Sequence, residues 1–378
     1  MDIGLYLHFP FCKSKCFYCD FNSYPLRDDK ELLVYISSLQ KEISIYSKKL
    51  RNVTLKTIYL GGGTPTLLSG ELIGNIINFC KHNFNITQNI EITIEANPGT
   101  VDKKKLEIML SSGVNRLSLG AQSFNNYLLK KLGRIHTAQD TISSYYQARK
   151  SGFNNINIDI MFALPDQTLL DFQNSIKKAL SLRPDHLSLY NLTIEKGTAF
   201  YNYYKQGILN LPDEDLEYEM YDWAIKYLKK NNFEHYEISN FALPSKRSIH
   251  NQIYWNNQPY LGIGAGATSF IKGYRYINYK DPKFYIKNIK NGKLPIDKGE
   301  RLTLHKRMIE TIILNLRTKD GLIYQKFYNQ FGMKVDKVFY NSINKLIDLG
   351  LLRKDNYKIQ LTAKGLFLAN YVFREFID

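Results

Sequence analysis

The sequence predicts an α/β fold, with a large parallel sheet of βαβ units followed by a smaller, mostly helical domain. Short apolar runs alternate with amphipathic stretches, which is the pattern of strands joined by crossover helices. Polar or glycine-rich residues follow most of these runs, as they do where parallel strands present ligand-binding loops. Beyond about residue 295 this alternation stops, which predicts a second domain.

The elements of the first domain are predicted in order along residues 1–295. The apolar runs predict strands at 3–8, 56–60, 91–95, 116–119, 157–161 and 186–190. The amphipathic stretches between them predict helices at 31–49, 71–82, 137–151 and 169–182. The units differ in length and sequence, so the chain is not a repeat protein.

Residues 296–378 are predicted to form a winged-helix-like domain. Helical patterns at 302–316, 324–331 and 337–349 are followed by a short hairpin with its turn at Asp355 and Asn356. The boundary is placed in the polar stretch 291–295, which reads NGKLP.

Composition narrows the cellular setting. No run reaches the ~18 apolar residues that a membrane helix needs. An acidic residue at position 2 and the lack of a basic segment do not resemble a secretion signal. We therefore expect a cytoplasmic protein. Three of the four cysteines lie within eight residues, which in such a protein favours metal binding over disulfides.

The net charge of +16 raises the question of a polyanionic partner. The lysines are scattered, and no block is longer than the three at 103–105. Lys334, Lys337 and Lys345 are too sparse for a nucleic-acid-binding helix. We expect no nucleic-acid partner, although the basic balance suits an acidic ligand such as a porphyrin bearing propionates.

Cys12, Cys16 and Cys19 have the spacing C-x3-C-x2-C. Thiolates are soft ligands suited to iron–sulfur clusters and to zinc. Three thiolates on a cubane leave one iron open to an amine and a carboxylate. Zinc is the alternative, with His8 or Cys80 as the fourth ligand. The spacing favours iron–sulfur, and the apolar neighbours of Cys80 favour a buried structural role.

Five polar segments follow predicted strands and are expected to meet at one site. They are residues 61–65, 95–98 and 120–123, Asp159 and Thr193. The alternative is that they are ordinary polar βα loops.

The cysteine motif after the first strand, with Tyr18 before its last cysteine, resembles the radical S-adenosylmethionine (SAM) superfamily. The GGGTP segment at 61–65 resembles that superfamily's glycine-rich motif. The segments YLHFPFC, GGGTPT, EANPGT, GAQSF, LGRIH and NIDIMFALP resemble the oxygen-independent coproporphyrinogen III oxidases. Phe21 stands where those oxidases carry a further cysteine, and HNQIYW at 250–255 resembles their heme chaperone branch, the HemW family.

The resemblance implies a partial (β/α)6 radical SAM barrel, with a [4Fe–4S] cluster on the three cysteines and exchangeable SAM at the open iron. It assigns the following residues to the SAM pocket, with Thr193 the least distinctive: Tyr6, Tyr18, Gly62, Gly63, Thr64, Glu95, Gln122, Arg134, Asp159 and Thr193. Glu95 suits the methionine ammonium and Arg134 the carboxylate. Asp159 suits the ribose hydroxyls, or else caps the next helix. No residue is assigned a catalytic role.

For His250, the resemblance implies heme contact, with the imidazole a candidate axial ligand and Tyr254 and Trp255 covering the macrocycle. The alternative is a histidine satisfied by loop hydrogen bonds beside core aromatics.

The resemblance implies a carrier that binds heme and delivers it to apo-hemoproteins, and it points to those of the respiratory chain. The resemblance also implies an electron donor, such as a flavodoxin or a ferredoxin, and assembly into a homodimer. The enzymatic alternative is oxidative decarboxylation of coproporphyrinogen III to protoporphyrinogen IX, against which Phe21 argues. The third hypothesis is a nucleic-acid-modifying radical SAM enzyme, prompted by the charge.

Overall fold

A twelve-stranded sheet with helices packed on its outer face forms the larger part of the protein. The computed structural model describes residues 1–377. The strands are β1 (Asp2–Phe9), β2 (Phe11–Cys12), β3 (Tyr24–Pro25), β4 (Thr54–Gly62), β5 (Asn85–Ala96), β6 (Arg116–Gln122), β7 (Ile156–Phe162), β8 (His186–Asn191), β9 (Glu234–His235), β10 (Asn240–Ala242), β11 (Tyr260–Ile263), β12 (Thr268–Ile271), β13 (Tyr274–Asn278), β14 (Ile296–Arg301), β15 (Leu322–Ile323), β16 (Leu352–Lys354) and β17 (Lys358–Leu361).

The helices are α1 (Asp29–Lys49), α2 (Gly70–Asn83), α3 (Lys103–Ser111), α4 (Asn126–Lys131), α5 (Ala138–Ser151), α6 (Leu169–Ser181), α7 (Ala199–Lys205), α8 (Glu214–Lys230), α9 (Ile249–Trp255), α10 (Pro282–Lys290), α11 (Leu304–Leu316), α12 (Tyr324–Phe331), α13 (Val335–Val338), α14 (Tyr340–Asp348), α15 (Ala363–Phe367) and α16 (Ala369–Arg374). A 3₁₀ turn spans Pro65–Leu67. No helix within residues 1–377 has the length and apolar character needed to cross a bilayer.

The predicted parallel strands are confirmed. β1, β4, β5, β6, β7 and β8 lie side by side in that order, and each pair is parallel. Side chains alternate between the two faces of the sheet. On β1, Leu5 and Leu7 are fully buried in the core, while Tyr6 and His8 line a cavity on the concave face. This alternation places the functional side chains on the inside of a partial barrel.

An antiparallel extension completes the sheet beside β1. β11 pairs parallel with β1, and β12, β13 and β14 then follow as antiparallel neighbours. Sequence patterning did not predict these strands because they are short, and β14 reads IDKGER with mostly exposed residues. The division predicted at residue 295 falls just before β14, whose pairing with β13 belongs to the large sheet.

The C-terminal part contains the predicted helices and hairpin around a core of its own. β15, β17 and β16 form a three-stranded sheet, and Ile312, Phe327 and Leu346 are buried beneath it. The predicted helix 337–349 is interrupted, because Phe339 has a non-helical φ of −122° between α13 and α14. Helix α11 packs against α9, where Asn315 Nδ2 donates to the Trp255 carbonyl at 2.9 Å.

Candidate functional site

The carboxyl ends of the parallel strands surround a cavity of about 410 Å³, called here the barrel cavity. All three clustered cysteines line it. Every residue predicted for the SAM pocket except Tyr6 also lines it: Tyr18, Gly62, Gly63, Thr64, Glu95, Gln122, Arg134, Asp159 and Thr193. The expectation that the polar strand ends form one site is therefore met by the geometry.

The cysteine loop presents its thiols to the barrel cavity. Thr64 Oγ1 lies 3.6 Å from Cys12 Sγ, and Arg134 Nη1 lies 3.5 Å from Cys16 Sγ. Burial raises the pKa of the Cys12 and Cys19 thiols, which keeps them protonated at neutral pH. Since thiolates are the ligating form, binding iron would release these protons.

A contact with Gly133 fixes the middle of the cysteine loop. Gly133 has φ +72°, and a Cβ there would lie 3.1 Å from the Phe17 ring. The Phe17 amide donates to the Leu132 carbonyl at 3.0 Å, and the Phe17 and Phe200 ring centroids are 6.3 Å apart. The thiols are therefore carried by a loop that packs on the protein instead of lying free in solvent.

The glycine-rich segment allows the end of β4 to pass close to the cysteine loop. A Cβ on Gly62, which has φ +113°, would lie 2.6 Å from the His8 ring. A Cβ on Gly63 would lie 2.5 Å from the Phe11 carbonyl oxygen. The Gly63 amide instead donates to the Phe9 carbonyl at 2.7 Å. A side chain at either position would clash with neighbouring protein atoms, so these glycines are needed whether or not a ligand is bound.

Glu95 is a half-buried carboxylate held by few donors. Tyr59 Oη donates to its Oε1 at 2.8 Å, and the Gly62 amide donates to Oε2 at 3.1 Å. Burial raises the pKa of Glu95 to about 7, partly opposed by the Tyr59 hydrogen bond. A ligand cation would complete its coordination and favour its ionised form.

Two arginines direct cationic groups into the barrel cavity. Arg134 Nη2 donates to Gly120 O at 2.7 Å and to Asn97 Oδ1 at 2.9 Å, whereas its buried Nε has no partner. Arg116 is 2% exposed, and within residues 1–377 its side chain makes no hydrogen bond or ion pair. Buried donors without partners require an explanation, and an anionic ligand group would supply one.

Asp159 belongs to the cavity wall and does not cap a helix. Its Oδ1 accepts from Asn157 Nδ2 at 2.7 Å, and its Oδ2 accepts from Ser118 Oγ at 3.1 Å. The N-cap of the following helix, α6, is Thr168. The capping alternative is therefore wrong, and burial raises the pKa of the Asp159 carboxyl.

His250 lies apart from the barrel cavity, beneath Tyr59. Its Nδ1 pairs with Thr57 Oγ1 at 2.6 Å and its Nε2 with Tyr254 Oη at 2.8 Å. The imidazole is 1% exposed, and burial followed by the charge of Arg116 lowers its pKa to about 3. Both ring nitrogens thus have protein partners in this conformation, and the ring is neutral.

A second cavity of about 660 Å³, the side cavity, lies between the antiparallel extension and α11. Five aromatic side chains line it: Tyr6, Phe21, Tyr254, Trp255 and Tyr260. The polar residues at its wall include Arg275, Lys280 and Glu310. Asp20 and Phe21 line both cavities, so the segment after Cys19 separates them.

Sequence reasoning missed several of these residues for identifiable reasons. Arg275 and Lys280 belong to or follow the unpredicted extension, so nothing placed them near Tyr254. Arg116 and Ser118 were findable, because both begin a predicted strand and alternation places them on one face.

The zinc alternative finds no fourth ligand. His8 pairs with Tyr6 Oη at 2.9 Å and with the Asn22 carbonyl at 2.8 Å, so both its nitrogens are engaged. Cys80 is fully buried in the core on α2. Across residues 1–377, no group of three or more His, Cys, Asp or Glu side chains, the three clustered cysteines included, lies close enough together to hold a single metal ion. Three thiols at one wall of a larger cavity fit a cluster better.

Family models agree with this geometry. Residues 6–179 match the radical SAM superfamily, and residues 302–368 match the HemN C-terminal domain. The first match contains the cysteine loop and the strand ends up to Asp159. The second begins just after β14 and includes α11.

Similar proteins cover nearly the whole chain. "Heme chaperone HemW" of Lactococcus lactis subsp. lactis (strain IL1403) is 39% identical over 98% of this chain and 96% of its own length. "Heme chaperone HemW" of Bacillus subtilis (strain 168) is 38% identical over 98% of both chains. Among solved structures, the coproporphyrinogen III oxidase HemN of Escherichia coli, described as a radical SAM enzyme, has a TM-score of 0.87 at 25% identity. That similarity covers 99% of this chain and 89% of HemN.

Proposed function

Because the chain belongs to the radical SAM superfamily and, within it, to the HemW family of heme chaperones, we propose that it binds heme and delivers it to apo-hemoproteins. The observation that carries this proposal is the side cavity. Tyr254 and Trp255 of the HNQIYW segment line it together with Tyr6, Phe21 and Tyr260. Aromatic walls with a few cations at the rim suit a flat macrocycle bearing carboxylates.

The superfamily's cofactors are a [4Fe–4S] cluster and SAM, which when bound would supply radical chemistry after taking up one electron from a donor. We propose that Cys12, Cys16 and Cys19 hold the cluster. Glu95 would accept hydrogen bonds from the methionine amino group and Arg134 would bind its carboxylate, since the Arg134 Nε is buried and free of partners. Asp159 would hold the ribose hydroxyls. Tyr18, Gly62, Gly63, Thr64, Gln122 and Thr193 would complete the wall, and Tyr6 would adjoin it from the side cavity.

We propose that His250 does not contact the macrocycle and instead positions a residue that does. Its Nε2 pairs with Tyr254 Oη, so in this conformation it positions a ring of the side cavity. Axial ligation by His250 would require this hydrogen bond to break and the ring to leave its stack on Tyr59, whose centroid is 4.9 Å away.

The remaining partners extend the same proposal. We propose a cytoplasmic protein that passes heme to respiratory apo-proteins and takes electrons from a flavodoxin or ferredoxin. Lys13 is exposed on the cysteine loop, and Lys15 lines the barrel cavity, so a basic surface adjoins the predicted cluster and suits such acidic donors. A homodimer is proposed by family membership alone.

Oxidation of coproporphyrinogen III is the second candidate, favoured by the similarity to HemN over 99% of this chain. Phe21 argues against it. This residue is 63% exposed between the two cavities, where the resemblance places an additional cysteine in the oxidases.

Anaerobic reconstitution followed by parallel assays separates the two candidates. We expect stoichiometric heme retention with a Soret band and no conversion of coproporphyrinogen III. Tyr254→Ala should weaken heme binding by about tenfold, because a stacking ring at the cavity wall is lost. Tyr340→Ala, at an exposed tyrosine of α14, serves as the control. Conversion of coproporphyrinogen without heme retention would overturn the proposal.

A further inference from the structure

Arg275 and Glu310 form a two-pronged ion pair across the wall of the side cavity. Arg275 Nη2 donates to Glu310 Oε2 at 2.9 Å, and Nη1 donates to Oε1. Arg275 lies on β13 and Glu310 on α11, so the pair joins the sheet to the C-terminal helices. Both residues line the side cavity.

The guanidinium is held in place for a carboxylate. Arg275 pairs with Phe270 and Glu300 in the antiparallel sheet, and its guanidinium carbon lies 5.4 Å from the Phe270 ring centroid. Arginine presents parallel N–H groups that match the two oxygens of a carboxylate. The structure therefore contains a formed carboxylate site, at present filled by the protein's own Glu310.

A second cation lies at the wall of the same cavity. The Lys280 ammonium makes no ion pair within the described part of the chain. The Lys280 backbone is fixed, because its carbonyl accepts from Asn22 Nδ2 at 2.9 Å. One paired and one unpaired cation thus line a cavity whose wall is rich in aromatic rings and also contains the Asp20 carboxylate.

We propose that a carboxylate of the ligand replaces Glu310 on Arg275, while Lys280 binds the ligand's second carboxylate. This inference rests on the proposed function and specifies its ligand as a dicarboxylic tetrapyrrole. Exchange is expected because two carboxylates on one guanidinium would repel each other. Once displaced, Glu310 would no longer bind Arg275 on β13. A ligand in the side cavity would therefore break one ion pair that joins α11 to the sheet.

The test compares iron protoporphyrin IX with its dimethyl ester, both delivered in the same detergent, by equilibrium titration of the full chain. Glu310→Gln removes the competing charge and should tighten binding of the diacid by about tenfold. Arg275→Gln should weaken it by about tenfold. Neither change should alter binding of the ester. Lys280→Gln should weaken binding of the diacid and leave binding of the ester unchanged. Lys326→Gln, on α12 outside the cavity, is the control for the loss of a lysine and should change neither affinity.

The outcomes distinguish this inference from the proposed function. If wild-type protein binds neither porphyrin, the proposed function fails. If diacid and ester bind equally and no variant changes either affinity, heme binding stands and the carboxylate exchange is overturned. If Arg275→Gln does not fold by circular dichroism, Glu310→Gln decides alone, and weaker binding of the diacid by that variant contradicts the exchange.

Discussion

At the scale of single residues, Glu95 links burial to ligand affinity. Its half-buried carboxylate has a pKa raised by burial to about 7 and a donor on each oxygen. Accepting hydrogen bonds from the methionine amino group favours the ionised form, which rises from about a tenth to about nine tenths between pH 6 and pH 8. Desolvation disfavours the ionised carboxylate, and for the same reason it strengthens the attraction of that carboxylate to a donor or cation beside it.

We expect the affinity of the reconstituted protein for SAM to rise by about tenfold from pH 6 to pH 8. Glu95→Gln should bind SAM more weakly and lose this pH dependence, because an amide carries no charge in either condition. Equilibrium titration with SAM measures both. Glu107→Gln, at an exposed residue of α3, should keep the wild-type profile. An unchanged profile in Glu95→Gln would remove Glu95 from the site of the methionine amino group.

Glu42 shows the same physics in a structural role. It is fully buried and accepts hydrogen bonds from Tyr285, Asn278 and the Gly264 amide, yet burial raises its pKa to about 7. The folded state therefore holds this proton more tightly than the unfolded chain does. The stability contributed by the protonated form is complete below about pH 4.5 and is lost as the pH rises towards 7.

We expect Glu42→Gln to lessen the fall in the free energy of unfolding between pH 4.5 and pH 7. The share of that fall due to Glu42 is about 3 kcal/mol at most, from the change in its pKa. Urea denaturation at several pH values measures the difference between variant and wild type. Glu107→Gln, at an exposed residue of α3, controls for the loss of a carboxylate. Parallel curves for Glu42→Gln and wild type would mean that Glu42 does not titrate in this range.

At the scale of elements, the sequence predicted what periodicity and motif spacing encode. The six parallel strands and the cysteine loop were recoverable because buried strands are apolar and thiolate spacing is distinctive. The antiparallel extension was not, because β14 has no apolar face to detect. Because the extension was not predicted, the side cavity was not predicted either. Its cations Arg275 and Lys280 lie on or just after β13, far in sequence from HNQIYW.

Also at this scale, the end of β4 and the cysteine loop form one packed unit. Gly62→Ala should reduce cluster loading and SAM binding, because its Cβ would meet the His8 ring at 2.6 Å. Gly152→Ala is the matched control, since Gly152 has the same φ of +113° but its added Cβ would come no closer than 3.7 Å to another atom. Because the two residues share this φ, the alanines strain the backbone similarly, and crowding distinguishes them.

Iron and acid-labile sulfide content after anaerobic reconstitution, with SAM titration, measures the effect of the two alanines. We expect low iron content in Gly62→Ala and wild-type content in Gly152→Ala. Equal losses in both variants would attribute the effect to backbone strain and not to contact with the His8 ring.

At the scale of the whole molecule, the two cavities share a wall in which Asn22 makes several of the hydrogen bonds. Asn22 Nδ2 donates to the Ala265 carbonyl and to the Lys280 carbonyl, each at 2.9 Å. The Asn22 carbonyl pairs with His8 Nε2 at 2.8 Å. Asn22 thus ties the segment after Cys19 to the far side of the side cavity. The cysteine loop and the proposed heme site are thus joined by hydrogen bonds across the concave face of the sheet.

We expect Asn22→Ala to weaken heme binding by about tenfold, because its two side-chain hydrogen bonds are lost and Phe21 is no longer held at the wall. Iron content should stay near the wild-type value, since the loop that carries the thiols keeps the packing of Phe17 on Gly133. Heme titration and iron analysis of the same preparation separate the two effects. Asn288→Ala, which removes a single bond within α10, is the control. If Asn22→Ala lost iron and heme together, the wall would be part of the cluster site, and if it lost neither, the two cavities would not depend on this tie.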